Sequence, residues 1–266
     1  MIEHRLSWDK DALSGKVALV TGVSRKSGIG FGIAKRLASM GADLFLHSFV
    51  PYDRQFPSIG EVPDHETIVK ELTVYGNRIE HMEADFFDSR SPARVMKSAL
   101  DKFGRVDILI INHTHDTLKT LEELTSDEID RHLIINVRAA LLLIQEYAKH
   151  HDGRLGGRII LLTSGQHLGP MPHMAYVASK GALHQLTSSL SGYFIEKGIT
   201  VNTVNPGPTR TYNPSEELNT AVLQRMPQGR WGEPDDAARL IGWLVSDNAV
   251  WVTGQVINSE GGFRRG

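Results

Sequence analysis

Short apolar runs alternate with amphipathic stretches along the whole chain. The runs are Lys16–Thr21, Leu44–His47, Ile79–Ala84, Asp107–Ile111, Arg158–Thr163, Thr200–Val204 and Gln255–Asn258. Most are continuously apolar, as expected of parallel strands buried on both faces. Between them the apolar residues return with helical spacing. Ile33, Ala34, Leu37 and Ala38 form one stripe, with Lys35 and Arg36 turned outward. Further helical patterns cover Asp64–Val74, Pro92–Phe103, Ser126–His150, Ala175–Lys197, Glu216–Arg225 and Pro234–Val245. This βαβα order predicts a single α/β domain, a doubly wound parallel sheet of about seven strands with helices on both faces.

No linker, repeat or low-complexity tract divides the pattern, so residues 15–263 read as one domain behind an N-terminal extension of residues 1–14. Pro51–Pro63 holds three prolines and reads as a surface loop. With 266 residues there is chain enough for a large core. A net charge of −2 and the absence of a basic run give no support for a nucleic-acid partner. The longest uninterrupted apolar stretch, Ala139–Ile144, is too short to cross a membrane, and the first 15 residues lack the apolar core of a signal peptide. There are no cysteines, which excludes disulfides and thiolate metal sites. The expectation is a cytoplasmic protein with neither membrane nor nucleic-acid partners.

Candidate chemistry begins between the first strand and the first helix, where residues 21–32 read TGVSRKSGIGFG. A Walker A loop requires Gly-Lys-Ser/Thr, but Lys26-Ser27 follows Arg25, so that reading fails. GxGxxG is not met either, because Gly28 and Gly30 are followed by Gly32. Strand, glycine loop and helix in that order still suit a pyrophosphate, held by helix-terminal N–H groups. Gly22, Ser24, Arg25, Lys26, Gly28, Ile29 and Gly30 are the candidate contacts.

In a doubly wound sheet, ligands bind at the carboxyl ends of the strands. Those ends carry His47-Ser48, Asp85-Phe86, Asn112-His113, Ser164 and Asn205-Pro206-Gly207. The second strand end governs cofactor choice, since an acid there would bind the ribose hydroxyl of NAD and repel a 2′-phosphate. Ser48 stands there, and Arg25 and Lys26 are placed to meet a phosphate. Asp53 could fold back toward the ribose, which keeps NAD open.

Tyr176 and Lys180 form a Y-x-x-x-K pair, sharing one face of a helix. Ser164 follows the strand RIILLT, and Asn136 lies in IINVRAALLLIQ. A tyrosine hydroxyl can protonate a developing alkoxide. Its ordinary pKa of about 10 is too high for efficient transfer near neutrality, and an adjacent ammonium would lower it. A serine hydroxyl can orient the carbonyl oxygen.

Thr21-Gly22, Gly28-Ile29-Gly30, Asn136, Ser164, Tyr176, Lys180 and Pro206-Gly207 together resemble the short-chain dehydrogenase/reductase family, over Gly15 to Phe263. The resemblance implies a Rossmann fold and a catalytic set of Asn136, Ser164, Tyr176 and Lys180. It implies that Lys180 also binds the nicotinamide ribose and that Asn136 holds a water in a proton relay. The cofactor contacts extend to Ser48, Asp85, Phe86, Asn112, Pro206, Gly207, Thr209 and Thr211, besides Tyr176 and Lys180. NADP(H) is the preferred cofactor, with NAD(H) the alternative. His113, Gln166, Met171 and Tyr212 are placed in the substrate pocket. No metal site is expected, although His113-Thr114-His115 alternates.

The implied reaction is interconversion of a carbonyl and a secondary alcohol. Three residues separate tyrosine and lysine, whereas enoyl reductases of the superfamily usually have six. Residues 230–247 and 252–263 look most like 3-oxoacyl-acyl-carrier-protein reductases. A basic residue that recognises the carrier in that group is replaced within Ser191-Gly192-Tyr193, which weakens an acyl carrier protein as partner. Two further departures are a glycine loop two residues longer than TGxxxGxG, and Ile111-Asn112-His113-Thr114 where the family has NNAG. Residues 212–230 are expected to form a substrate lid, and the long helices to build a homotetramer. The alternatives are a cofactor-binding sensor or scaffold without turnover, and an NAD-dependent alcohol, polyol or steroid dehydrogenase.

Overall fold

The computed structural model describes residues 10–56, 65–117 and 119–265. Seven parallel strands form one sheet in the order β3-β2-β1-β4-β5-β6-β7. They are β1 (Val17–Thr21), β2 (Asp43–Ser48), β3 (Ile79–Glu83), β4 (Ile108–Ile111), β5 (Gly157–Leu162), β6 (Ile199–Asn205) and β7 (Val256–Asn258). Each apolar run of the sequence became a strand, with ends moved by a residue. The strand order reverses between β1 and β4, whose register pairs Leu19 with Leu109. The loops leaving these two strands diverge, and a crevice opens between them.

The five inner strands bury both faces, while the edge strands β3 and β7 are only partly buried. Ala18, Val20, Ile108 and Ile110 pack with α1 (Ile29–Ser39) and α9 (Pro234–Val245). Leu19, Leu109 and Ile111 face the other way, onto α4 (Ser91–Phe103), α6 (Ala139–His150) and α7 (Met174–Phe194). The period-two alternation of a strand thus feeds two cores at once, which is why the runs show no polar face. Leu13 belongs to the first core, and its N–H bonds Met40 O at 2.8 Å. Residues 1–9 of the expected extension lie outside the described residues.

Two helical expectations and one loop expectation change. The stretch 126–150 is not one uniform helix: α5 (Ser126–Leu133) and α6 are joined by a π-helical turn, Ile134–Arg138. There Ala139 N–H reaches back five residues to Ile134 O, and Asn136 sits inside the wide turn. The segment around 64–74 is α3 (His65–Leu72) followed by a 3₁₀ turn, Thr73–Tyr75; Asp64 lies outside the described residues. The proline-rich stretch begins with the short helix α2 (Val50–Asp53), which buries Val50 and Asp53; residues 57–63 lie outside the described residues. Proline at the second helical position costs nothing there, because that N–H has no intrahelical partner. The remaining helix, α8 (Glu216–Arg225), starts at Ser215, whose hydroxyl accepts from Leu218 N–H.

Candidate active site

A cavity of about 630 Å³ opens at the carboxyl ends of the strands, over the switch between β1 and β4. At one end lies the start of α1. Gly28, its cap residue, offers no side chain, and the first turn holds no acid. Gly28, Ile29 and Gly30 line the cavity, so the positive helix terminus faces open space. Close packing requires glycine at Gly30: a Cβ there would stand 2.4 Å from Gly22 O and 2.7 Å from Asn112 Nδ2. Asn112 ties the loops leaving β1 and β4 together, its Nδ2 donating to Thr21 O at 2.9 Å and Gly22 O at 3.1 Å. An uncapped helix end and a cradle without side chains fit the pyrophosphate of a dinucleotide.

The two additional loop residues have a visible structural consequence. Arg25 Nη1 donates to Thr211 O at 2.7 Å, and Ser27 Oγ donates to the same carbonyl at 3.0 Å. The glycine loop is thereby tied to the loop after β6. Arg25 Nε also lies 3.1 Å from Asp53 Oδ1. Burial raises the Asp53 carboxyl above its usual range, against the pull of Arg25 and a hydrogen bond from Ser24. Ser24, Arg25 and Asp53 all line the cavity. Lys26 does not: it is half-exposed and pairs with Glu71 of α3, away from the site. Ser48 is also misplaced in the sequence reading. Its hydroxyl meets His81 Nε2 at 2.7 Å, and the residue that faces the cavity is its neighbour His47. Successive strand residues point to opposite sides, so a one-residue error exchanges the faces.

His47 Nε2 meets Ala84 O at 2.9 Å. That carbonyl can only accept, so Nε2 carries the proton and Nδ1 accepts from Gly22 N–H at 3.4 Å. Burial lowers the His47 pKa to about 4, so the ring is neutral at physiological pH. Phe86 stacks on it at 3.9 Å. His113 contacts the same Phe86 ring edge-on at 4.5 Å, meets Thr21 Oγ1 at 2.8 Å, and donates from Nε2 to Ile135 O at 3.1 Å. Burial, with His47 and Lys180 nearby, holds the His113 pKa well below its usual value. This imidazole is therefore held fixed and neutral in the cavity lining, between His47 and Lys180. Asp85, Pro206, Gly207, Thr209 and Thr211 line the cavity as expected.

At the other end Ser164, Tyr176 and Lys180 come together. Tyr176 and Lys180 are one turn apart on α7, and Ser164, which follows β5, lies near the Tyr176 hydroxyl. Lys180 Nζ donates to Leu162 O at 2.9 Å and stands 5.7 Å from the Tyr176 ring centre. The expected pKa relation is not what these surroundings produce. Burial raises the Tyr176 pKa, with the Asp116 carboxylate adding to the rise and only Ser164 opposing it. Burial also depresses Lys180 to about 8, against the pull of Asp116.

Asn136 is wholly buried and does not line the cavity. Its Oδ1 accepts from His115 N–H at 2.6 Å, and its Nδ2 donates to His115 O at 2.9 Å and Ser179 Oγ at 2.9 Å. Ser179 Oγ in turn donates to Tyr176 O at 2.8 Å. With every polar atom of the side chain engaged, Asn136 joins the loop after β4 to the tyrosine helix. Gln166 and Met171 are also outside the cavity lining. Gln166 Nε2 reaches Lys180 O at 3.5 Å, while Met171 Sδ lies 3.8 Å from Ser164 Oγ. Tyr212 is in the lining.

The sequence reading missed Tyr52, Asp116, Glu128 and Arg131, which all line the cavity. Tyr52 OH is bonded to both main-chain groups of Asp116, at 2.8 Å to N and 2.9 Å to O. Asp116 had a readable signal, an acid in the loop after a strand end. The other three come from α2 and α5, and their approach depends on how those helices dock.

Residues 22–264 match the family model described as enoyl-(acyl carrier protein) reductase. The chain is 40% identical over 254 residues to the uncharacterized oxidoreductase YjdA of Bacillus subtilis, covering 94% of this chain and 98% of that one. It is 34% identical over 269 residues to the hydroxynaphthalene reductase-like protein Arp2 of Metarhizium anisopliae, covering 94% and 96%. Among solved structures, a short chain dehydrogenase from Burkholderia cenocepacia in complex with NADP superposes with a TM-score of 0.84 at 33% identity, over 94% of this chain and 98% of that chain.

Proposed function

The chain belongs to the short-chain dehydrogenase/reductase family, as an oxidoreductase, and from that premise we propose that it interconverts a carbonyl and a secondary alcohol with NADP(H). The observation that carries this reading is one cavity with Ser164, Tyr176 and Lys180 at one end and the uncapped start of α1 at the other. Gly28, Ile29 and Gly30 would hold the pyrophosphate, and the His47, Phe86 and His113 rings would flank the cofactor's adenosine side. When bound, the nicotinamide supplies or accepts the hydride.

The protein's residues manage the oxygen and its proton. Ser164 Oγ–H orients the carbonyl oxygen. Tyr176 Oη gives it a proton as alkoxide character develops, or takes one in the reverse direction. A buried tyrosine keeps its proton in the open site, which suits a donor in reduction. The Lys180 ammonium offers the charge that favours the phenolate once the proton has left. Three residues between tyrosine and lysine support carbonyl over enoyl chemistry, despite the description attached to the family model.

The NADP(H) preference is supported by the absence of an acid at the end of β2 and by Arg25 in the lining. Asp53 beside Arg25 favours the second reading, NAD(H), because its carboxylate could accept from a ribose hydroxyl. The substrate class proposed is a small carbonyl compound, with 3-oxoacyl thioesters among the candidates. Residues 212–228 would close over it. Exposed Leu141, Tyr193 and Ile195 on and beside α6 and α7 support a homotetramer through those helices, which a native mass of four chains would bear out and a monomeric mass would remove.

Tyr176→Phe tests the mechanism. NADPH oxidation should be screened over ketones, 3-oxoacyl thioesters and sugars, and the variant compared on every substrate that turns over. We expect kcat to fall by at least about 100-fold, with NADPH binding retained in a fluorescence titration. Wild-type rates in the variant would refute the tyrosine's role. NADPH binding without oxidation across the whole panel would favour a sensor.

A further inference from the structure

A second group of titratable side chains lies beside the substrate end, on the loop after β4 and on α5. Glu128 and His132 are four residues apart on α5 and so share one face. His115 is brought to them by Asn136, which grips both main-chain groups of that histidine. One ligand atom each from His115, Glu128 and His132 lie within 4.8 Å of one another.

The orientation of the imidazoles is more telling than their proximity. His132 Nδ1 donates to Glu128 O at 2.7 Å, so Nε2 is the ring nitrogen that faces the cluster. That Nε2 has no hydrogen-bond partner although the residue is 99% buried, with 1% of its surface exposed. His115 Nε2 is equally unpartnered, with 7% exposed, and Asp116 Oδ1 is a third unpartnered buried atom at the same place. His115 Nε2 lies 3.8 Å from Glu128 Oε2, and His132 Nε2 lies 3.8 Å from Asp116 Oδ1. Thr117 Oγ1 donates to Glu128 Oε2 at 2.9 Å, the kind of outer contact that orients a ligating carboxylate. Buried ring nitrogens left without a hydrogen-bond partner are costly unless something else satisfies them.

We propose that His115, Glu128 and His132, with Asp116 at the rim, form a binding site for one zinc-like divalent transition-metal ion. Two imidazoles and carboxylate oxygens are a donor set that suits zinc, while calcium and magnesium prefer oxygen alone. Bonds of about 2.0–2.2 Å place tetrahedral ligands roughly 3.4 Å apart, so atoms now within 4.8 Å must close by up to about 1.5 Å through side-chain rotation. The ion would fasten the 112–117 loop to α5 and put a positive charge next to Asp116, which also faces Tyr176 and Lys180. The site shares no ligand with Ser164, Tyr176 or Lys180.

The test uses the full chain without a histidine tag, stripped with chelator and titrated calorimetrically with zinc. One zinc per chain is expected, and cobalt substitution should give the intense visible bands of a four-coordinate site. His132→Gln should weaken zinc binding by at least about 10-fold. Glu128→Gln, at a half-buried position that tolerates exchange more readily, should do the same. His150→Gln serves as a control, since His150 with Glu146 repeats the same spacing on the open surface and should not affect binding. Absence of stoichiometric zinc would overturn the proposal, and so would a weak octahedral cobalt spectrum. Equal affinity in wild type and both cluster variants would also overturn it, leaving an imidazole–carboxylate network without a metal.

Discussion

Asn136→Ala would separate a positioning role from a chemical one. The side chain supplies three hydrogen bonds, two of them to the main chain of His115 and one to Ser179 Oγ. Removing it leaves the His115 N–H and C=O unpaired in a buried place, while Ser179 keeps its bond to Tyr176 O. Each orphaned main-chain group costs about 1–3 kcal/mol, so the variant should lose roughly 3 kcal/mol if water partly fills the space. For a domain of this size that corresponds to a melting temperature lower by about 6–12 °C. The His115 loop would then be released from α7, and kcat should fall through misplacement of Tyr176. Denaturant unfolding and thermal melts give the stability, and NADPH turnover gives the rate. A loss below about 0.5 kcal/mol, the range of an ordinary surface change, would refute the clamp. Retained stability with a large loss of kcat would instead return Asn136 to the proton relay.

Lys180, depressed to about 8 by burial, binds fewer protons in the folded chain than in the unfolded chain between about pH 8 and 10.5. Stability of the cofactor-free protein should therefore rise with pH across that window, and Lys180→Met should flatten the slope; a wild-type slope unchanged in the variant would contradict the buried ammonium. Arg25→Ala should lower the NADPH/NADH ratio of kcat/KM by about 10-fold or more, and Asp53→Asn should raise it; steady-state kinetics with both cofactors measure this, and a ratio indifferent to both changes would remove the pair from cofactor choice. Residues 212–228 should gain hydrogen-exchange protection in the ternary complex, whereas equal protection with and without ligands would remove the lid.

The chain's own periodicities determined the sheet, its parallel sense and each strand's limits to within a residue. A strand buried on both faces is largely apolar, as Ile108–Ile111 shows, and the short length of these runs between turn residues favours strands. The tyrosine–lysine pair was equally legible, because one helical turn fixes its geometry locally. What the sequence could not decide was the direction of side chains whose partners are distant in the chain. Ser48 and His47 differ by one position, yet pleat alternation sends one to His81 and the other into the cavity. Lys26 is captured by Glu71, 45 residues later, and Arg25 by Asp53 and Thr211, so two adjacent cations take opposite fates. Asn136 reads as a polar residue facing a reaction, but the π turn places it inside, where it must satisfy buried main-chain groups. Tyr176 shows the same limit in its electrostatics. Spacing supplied the ammonium one turn away, but tertiary burial excluded the water that would have solvated the phenolate, and the Asp116 carboxylate adds to that cost.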